Sequence, residues 1–459
     1  MKLPSFRWTV LVTGLAFVVA QLDVSIVNLA LPQIALAYHT DISTLQWIVD
    51  AYTLAFAVLM LSAGSIGDRI GSKRIFQIGI IIFGVASAGC ALSPNPLCLI
   101  FFRILQGIGA AMMIPSSLSI LNRRFAHQPD VRARAVGLWT AAGSAALVAG
   151  PTLGGLLIEL SNWRFIFLIN IPICLAAYLM SFRLNETQVK TSEQQSDITG
   201  QATWALGITA LIAAIIEWPK LGFENPLVIG GLVFSLVMFV TFFFVEKNAR
   251  NPMLPFHLFD SGSFNALLLL GAVLNGCYYG SVFVLSLYLQ KVLNYSSLAA
   301  GFAFIPLTAG FVISNVASAR IINRYGTWKP IMAGLIFFAI GFAGMFIAGA
   351  DTPYWQLFLP FLIISSGMGL AVPAMINGIL SSVDKKLSGT ASAVLTTARQ
   401  TAGAIGVAVF GAMTVGGNTA ILGGVFKSAA ITIVFTLIAV FFISRLLKAE
   451  RHKSGNQNR

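Results

Sequence analysis

Long apolar runs, each broken by Gly, Pro or charged residues, recur along the whole chain. Fourteen are long enough to cross a bilayer: about 8–31, 46–66, 75–93, 97–122, 135–158, 164–183, 202–218, 226–245, 264–289, 298–319, 330–350, 355–380, 391–414 and 422–444. A helix needs roughly 20 apolar residues to cross the hydrocarbon, and inside lipid a helix satisfies its own backbone hydrogen bonds. The pattern predicts an all-α membrane protein with fourteen transmembrane helices. The first run begins at Trp8 after Lys2 and Arg7. It exceeds the 7–15 apolar residues of a signal peptide and no small-x-small cleavage site follows, so it reads as the first span.

The polar punctuation between spans repeats. Gly67-Asp68-Arg69-Ile70-Gly71-Ser72-Lys73-Arg74 follows span 2, and Asn323-Arg324-Tyr325-Gly326-Thr327-Trp328-Lys329 follows span 10 with the same Arg-x-Gly-x-x-basic core. Gly107-Ile108-Gly109 in span 4 is answered by Gly367-Met368-Gly369 in span 12. The expected division is a six-helix half at 1–184, linkers and two inserted helices at 185–263, a second half at 264–445, and a tail at 446–459. Two homologous helical halves around a central site are a common plan for secondary transporters.

Composition agrees with lipid as the solvent. Of the 459 residues 57% are hydrophobic and 10% charged, with mean hydropathy +0.84. Soluble domains carry about 25% charged residues. The net charge of +13 would suggest nucleic acid in a soluble protein, but its distribution points to topology instead. Connections on one side hold only Arg164, Lys220, Lys291 and Lys427, and Arg103 and Arg399 fall within spans. The remaining Lys and Arg lie on the side that includes both termini, which predicts cytoplasmic ends. No nucleic acid partner is expected.

Few polar groups in the spans can carry chemistry. Asp23, Asp50 and Glu217 lie within or at the outer end of apolar spans. An acid at the centre of a transmembrane helix costs about 2.5–3.5 kcal/mol on insertion scales. Such a site suits a group that binds and releases protons. Two alternatives stand for each: Asp23 as proton carrier or as the buried partner of Arg103, Asp50 as carrier or solvated helix-start acid, and Glu217 as coupling or interfacial group. Gln21, Ser25 and Asn28 share one face of span 1, with Asp23 pointing elsewhere. Arg103 lies beside Gln106, and a guanidinium does not give up its proton usefully. Arg399 is either a cavity residue or a snorkelling side chain. Gly143, Ala146, Gly150 and Gly154 make a smooth face on span 5, where Pro151 adds a bend. Tyr52 and, in the second half, Asn275, Tyr279 and Asn377 complete a predicted substrate cavity.

Several segments in order resemble the fourteen-helix drug:proton antiporter branch of the major facilitator superfamily. They are Leu22-Asp23-Val24-Ser25-Ile26-Val27-Asn28-Leu29-Ala30-Leu31-Pro32, the 64–74 loop, Arg103-Ile104-Leu105-Gln106-Gly107-Ile108-Gly109, Gly150-Pro151-Thr152-Leu153-Gly154-Gly155, and Trp163 to Pro172. Ser25 stands where that branch has Thr, and Ala146 where it has Gly. The resemblance implies proton-coupled efflux of multidrug or quaternary-ammonium type, with coupling roles for Asp23 and Arg103. It also implies a cytoplasmic latch at Gly67, Asp68, Arg69 and Gly71, and a hinge at Gly143, Gly150, Pro151 and Gly154. The expectation is a monomer in a bacterial inner membrane that exports lipophilic, cationic drugs, with neutral or anionic antibiotics or metabolites as the alternative. A periplasmic adaptor could extend the path if the host has an outer membrane. No cofactor, metal or catalytic group is expected: the four His residues lack ligand-spaced partners, and no Gly-x-x-x-x-Gly-Lys-Ser/Thr loop is present. Cys90 and Cys98 read as free thiols, with a disulfide as the lesser alternative.

Overall fold

The computed structural model describes residues 6–184, 197–249, 254, 256–384 and 387–457, with some helical residues described by backbone alone. Among them are sixteen α-helices: α1 (Phe6–Tyr38), α2 (Ile42–Ile70), α3 (Ser72–Leu92), α4 (Pro96–Arg124), α5 (Pro129–Leu160), α6 (Phe165–Leu168), α7 (Asn170–Ser181), α8 (Ile198–Leu221), α9 (Pro226–Asn248), α10 (Gly262–Leu287), α11 (Ser297–Ala303), α12 (Ile305–Tyr325), α13 (Trp328–Gly344), α14 (Tyr354–Ser381), α15 (Ser388–Ala412) and α16 (Asn418–Gln457). Twelve helical segments are long and apolar enough to cross a bilayer, and α5 makes a thirteenth if its two bent parts form one span. The remaining expected span, 164–183, is a shorter apolar stretch, Phe165–Ser181, interrupted between α6 and α7.

Local chemistry fixes the helix ends. Asp41, Asn95, Asp197, Asn225, Ser261 and Ser296 each accept a hydrogen bond from a backbone N–H in the first turn of the following helix. Gly71 and Gly326, the glycines of the repeated loop, both end a helix with positive φ, 107° and 77°. Residues with a Cβ rarely adopt that backbone, so the repeat records a shared stop signal. In α5 a 42° bend separates Asp130–Leu147 from Ala149–Leu160. Pro151 has no N–H for the Leu147 carbonyl, which places the break one turn before the proline. Pro306 likewise accompanies the break between α11 and α12.

Helix pairings recur along the chain. Among α1–α7, helix α1 packs on α5, and α4 packs on α3 and α2. Among α10–α16, helix α10 packs on α15, and α14 packs on α13 and α12. Close glycine contacts set the register of this repeat. A Cβ on Gly109 would lie 2.8 Å from the Gly79 carbonyl oxygen, and one on Gly367 would lie 2.5 Å from that of Gly334. Gly107 instead meets α2 at Tyr52 and Ala55, and Gly369 meets α12 at Phe311. By contact, Gly109 corresponds to Gly367, a displacement of two residues from the match of the two Gly-x-Gly motifs. Both motifs have two glycines because each helix is squeezed by two neighbours.

The two groups of helices meet through late α1, early α2 and late α5 on one side, and late α10, early α11 and late α15 on the other. Ser286 Oγ donates to the Asn28 carbonyl (2.6 Å) and Gln290 Nε2 to that of Leu29 (3.2 Å). Gln46 Nε2 donates to the carbonyls of Val407 (3.1 Å) and Ala408 (2.7 Å). A Cβ on Gly155 would lie 2.6 Å from the Ser297 carbonyl oxygen, and one on Gly301 2.7 Å from that of Pro151. Each of these contacts lies toward the end of the bundle away from Phe6, so the bundle is closed there.

Helices α8 and α9 pack on each other, and α8 also covers α2 and α15. Its bonds to α2 run along its length, from Gln201 Nε2 to the Val58 carbonyl (3.3 Å) to the exposed Lys220–Asp41 pair (3.1 Å).

Candidate functional site

The polar centre of the first group is built by four helices around one carboxylate. Asp23 is fully buried in α1. Arg103 and Gln106, one turn apart on α4, both reach it. Arg103 Nη1 forms an ion pair with Asp23 Oδ2 and also donates to Gln106 Oε1 (2.9 Å). Gln106 Nε2 donates to Asp23 Oδ1 (3.2 Å) and to Ser87 Oγ of α3 (2.7 Å). Asn170, the first residue of α7, donates to the same Asp23 Oδ1 (2.9 Å) and to Ser87 Oγ (3.4 Å). Cys90 Sγ donates to Gln106 Oε1 (3.2 Å) and is a free cysteine. Arg103 Nε donates to the Ile48 carbonyl of α2 (3.0 Å), and its guanidinium carbon lies 4.5 Å from the centre of the Tyr52 ring.

In this arrangement charge cancels charge and both carboxylate oxygens have donors. A buried ion pair recovers its desolvation cost only when its remaining hydrogen-bonding capacity is also met, and here Gln106, Asn170 and a helix carbonyl meet it. Asp23 and Arg103 are therefore partners. Gln106 and Tyr52 belong to this closed knot and are themselves buried.

Asp50 differs in every respect. It is fully buried in α2, one helical turn beyond Gln46, and neither carboxyl oxygen has a hydrogen-bond partner. The solvated helix-start reading is thereby excluded. An ionised carboxylate there would lack compensation, whereas the protonated acid carries no net charge. Glu217 lies at the opposite extreme. It sits half-buried near the end of α8 and accepts a bond from Trp47 Nε1 (3.1 Å), which ties the inserted pair to α2.

The remaining expected positions scatter. Ser25 turns to its own helix, donating to the Leu22 carbonyl (3.1 Å), and lies against Gly150 of α5, so it faces a helix contact instead of open space. Asn28 donates to the Val24 carbonyl (3.1 Å), while its buried Oδ1 has no partner. Gln21 is half-buried on the same stripe. Asn275 is buried and donates to the Gly271 carbonyl (2.9 Å). Tyr279 packs edge-on to Tyr278, with ring centres 5.6 Å apart, beside Gly403 of α15. Asn377 is exposed and donates to the Pro373 carbonyl of its own helix (3.0 Å). Arg399 lies mid-way along α15 with its Nε buried and unpartnered.

The glycines expected to act mechanically are contact positions. A Cβ on Gly143 would strike the Phe17 ring, one on Gly150 Ser25, and one on Gly154 would lie 2.6 Å from Ile26 Cγ1, so α1 and α5 approach as closely as their backbones allow. Gly67 faces Ser116 of α4. The side chains of Asp68 and Arg69 lie outside the described residues, so the latch is seen only through its backbone.

Asn170, Ser87 and Gln46 are the polar positions that sequence reasoning missed. Asn170 lies within the Trp163–Pro172 segment, and Ser87 and Gln46 are isolated polar residues in apolar runs.

The profile of the Major Facilitator Superfamily matches residues 13–407. The methylenomycin A resistance protein of Bacillus subtilis strain 168 is 36% identical over 402 residues, 87% of this chain and 86% of that protein. The puromycin resistance protein pur8 of Streptomyces alboniger is 33% identical over 439 residues, 94% of this chain and 86% of its own length. The drug efflux pump JefA of Mycobacterium tuberculosis is 30% identical over 409 residues, covering 89% and 80%.

Proposed function

The chain belongs to the major facilitator superfamily, and from that premise we propose that it exports small, largely apolar drugs from the cytoplasm in exchange for protons. It is a multi-pass membrane transporter and not an enzyme. Relatives named for resistance to methylenomycin A and puromycin support efflux as the direction. The observation that carries proton exchange is Asp50, a buried carboxyl without any partner, placed one turn from the Gln46 contact that closes one end of the bundle.

The distribution of Lys and Arg supports cytoplasmic termini in a bacterial cytoplasmic membrane. On that orientation the closed end is extracytoplasmic. In the alternate state the Gln46 contact parts and Asp50 exchanges its proton with the other side. Asp23 and Arg103 hold α1, α3, α4 and α7 together as one moving body. The two helix groups, with α8–α9 carried by α2, are the units that rock against each other.

Export of lipophilic cations would draw on free carboxylates. Asp23 is answered by Arg103, and Glu217 is held at the end of α8 by Trp47. Asp50 alone is left unpaired, and an acid occupied with the exchanged proton is not a standing counter-ion for a cation, which favours the second reading, export of neutral or anionic compounds. The two differ energetically. One proton exchanged for one monovalent cation moves no net charge, whereas one proton entering as one anion leaves moves two, each worth about 2.3 kcal/mol per 100 mV.

The test is drug-induced proton movement in proteoliposomes containing the purified protein and a pH-sensitive dye. Coupled transport predicts a pH change on addition of an uncharged apolar drug that a protonophore abolishes. Drug flux with no proton movement would remove the proton-exchange reading.

A further inference from the structure

Among the described residues, four ionisable groups lie deep within the spans flanking the two helix groups: Asp23, Asp50, Arg103 and Arg399. Asp23 and Arg103 cancel each other. Asp50 has no partner and no exposure. Arg399 remains as a cation with no ion pair; its Nε is buried and unpartnered, while the residue as a whole is half-buried, so its head keeps some access from outside the core. A guanidinium stays charged at any physiological pH, so neutralising it requires an anion from elsewhere.

Snorkelling does not account for Arg399. It is the tenth residue of a 23-residue span, Thr390–Ala412, about 14 Å along the helix at 1.5 Å per residue, beyond what its side chain can bridge to either end. The stem instead lies against α10. A Cβ on Gly271 would sit 3.3 Å from Arg399 Cγ, 3.1 Å from Met375 Sδ and 2.9 Å from Leu395 Cδ1. The absence of a side chain at Gly271 thus makes room for the arginine and two apolar groups at one place. Tyr279 meets α15 one turn beyond Arg399, where a Cβ on Gly403 would lie 3.3 Å from its ring carbon Cδ2. Tyr278 meets Tyr279 edge to face. The local chemistry is one unanswered guanidinium, a phenol hydroxyl and walls of Leu, Met and aromatic ring.

We propose that Arg399 is the head-group site of the transported molecule and that this site takes small apolar monocarboxylates. The guanidinium receives the carboxylate in a two-point contact, and the apolar body rests on the half-buried Tyr278–Tyr279 pair. The proposal deepens the export reading by naming its substrate class, and it concerns binding alone.

The test uses the purified full-length protein in nanodiscs of neutral lipid, with empty nanodiscs as the blank. Three probes share one ring system: 1-naphthoate, methyl 1-naphthoate and 1-naphthyltrimethylammonium. The wild type is expected to bind naphthoate saturably and about tenfold or more tighter than the ester, as a charge-assisted pair requires, with the ammonium probe weakest. Arg399→Gln brings the acid-to-ester ratio to near one. Arg399→Lys keeps the charge without the fork and retains part of the ratio, so it carries the test if the glutamine variant does not fold. Absence of saturable naphthoate binding to the wild type, a tighter ammonium probe, or an acid preference that survives in Arg399→Gln overturns the proposal. No proton gradient enters this measurement, so its outcome is separate from that of drug-induced proton movement.

Discussion

Replacing Gln46 with Met should loosen the closed end of the bundle and shift the protein toward its other state. The Gln46 amide donates to Val407 and Ala408 across the boundary between the helix groups. Each such bond contributes about 0.5–1.5 kcal/mol net, and polar contacts between membrane helices average near the lower figure. The two acceptors are helix carbonyls with partners of their own, so removing the amide strands no acceptor. Gln46 Oε1 is itself buried and unpartnered, so Met also relieves a cost and the net change falls to about 1 kcal/mol or less. That is at most about fivefold in the ratio of the two states. Both states can be counted by labelling exposed His39 and Asn418, replaced by Cys in a background without native cysteines, and measuring label separation in nanodiscs. Gly411→Ala should act in the same direction, because its methyl would lie 2.5 Å from Gln46 Nε2. An unchanged distance distribution in Gln46→Met, or a shift toward the short distance, would refute this account of the closed end.

Further outcomes follow from the polar knot and the helix contacts. Asp23→Asn leaves Arg103 buried without its countercharge and should cost about 3–5 kcal/mol, read as a lower melting temperature in detergent; adding Arg103→Gln should restore most of it, and a single variant as stable as the wild type would contradict the pairing. Asn170→Ala removes a donor to Asp23 and should cost about 1–3 kcal/mol while lowering drug efflux at equal expression. Gly150→Ala forces a methyl onto Ser25 and should cost about 1–3 kcal/mol; Ser25→Gly in the same chain should recover part of that loss, whereas independent effects would place the two helices further apart.

Much of the fold is legible in sequence because lipid makes apolar length nearly sufficient evidence for a spanning helix. The end of α2 at Gly71, the bend of α5 and the α1–α5 contact can be read from Gly and Pro positions whose backbone demands are local. Asp23 and Arg103 stand out because isolated charges in apolar runs are costly. Their completion by Asn170 and Ser87 is not legible, since a lone Asn or Ser in a membrane helix is equally at home bonding its own backbone, as Ser25 and Asn28 do. The burial of Tyr52 and Gln106 is not legible for a related reason. Spacing along a helix fixes which residues share a face, but the neighbouring helix decides whether that face is a wall, an interior or a cavity.

The central claim is that Asp50 carries the exchanged proton while Asp23 stays paired with Arg103. It is tested most directly by reconstituting the wild type and Asp50→Asn, imposing a pH gradient, and recording drug flux and proton flux together. The account predicts drug-dependent proton movement in the wild type, and in Asp50→Asn drug binding without proton movement or uphill transport. Full proton-coupled uphill transport by Asp50→Asn would contradict it.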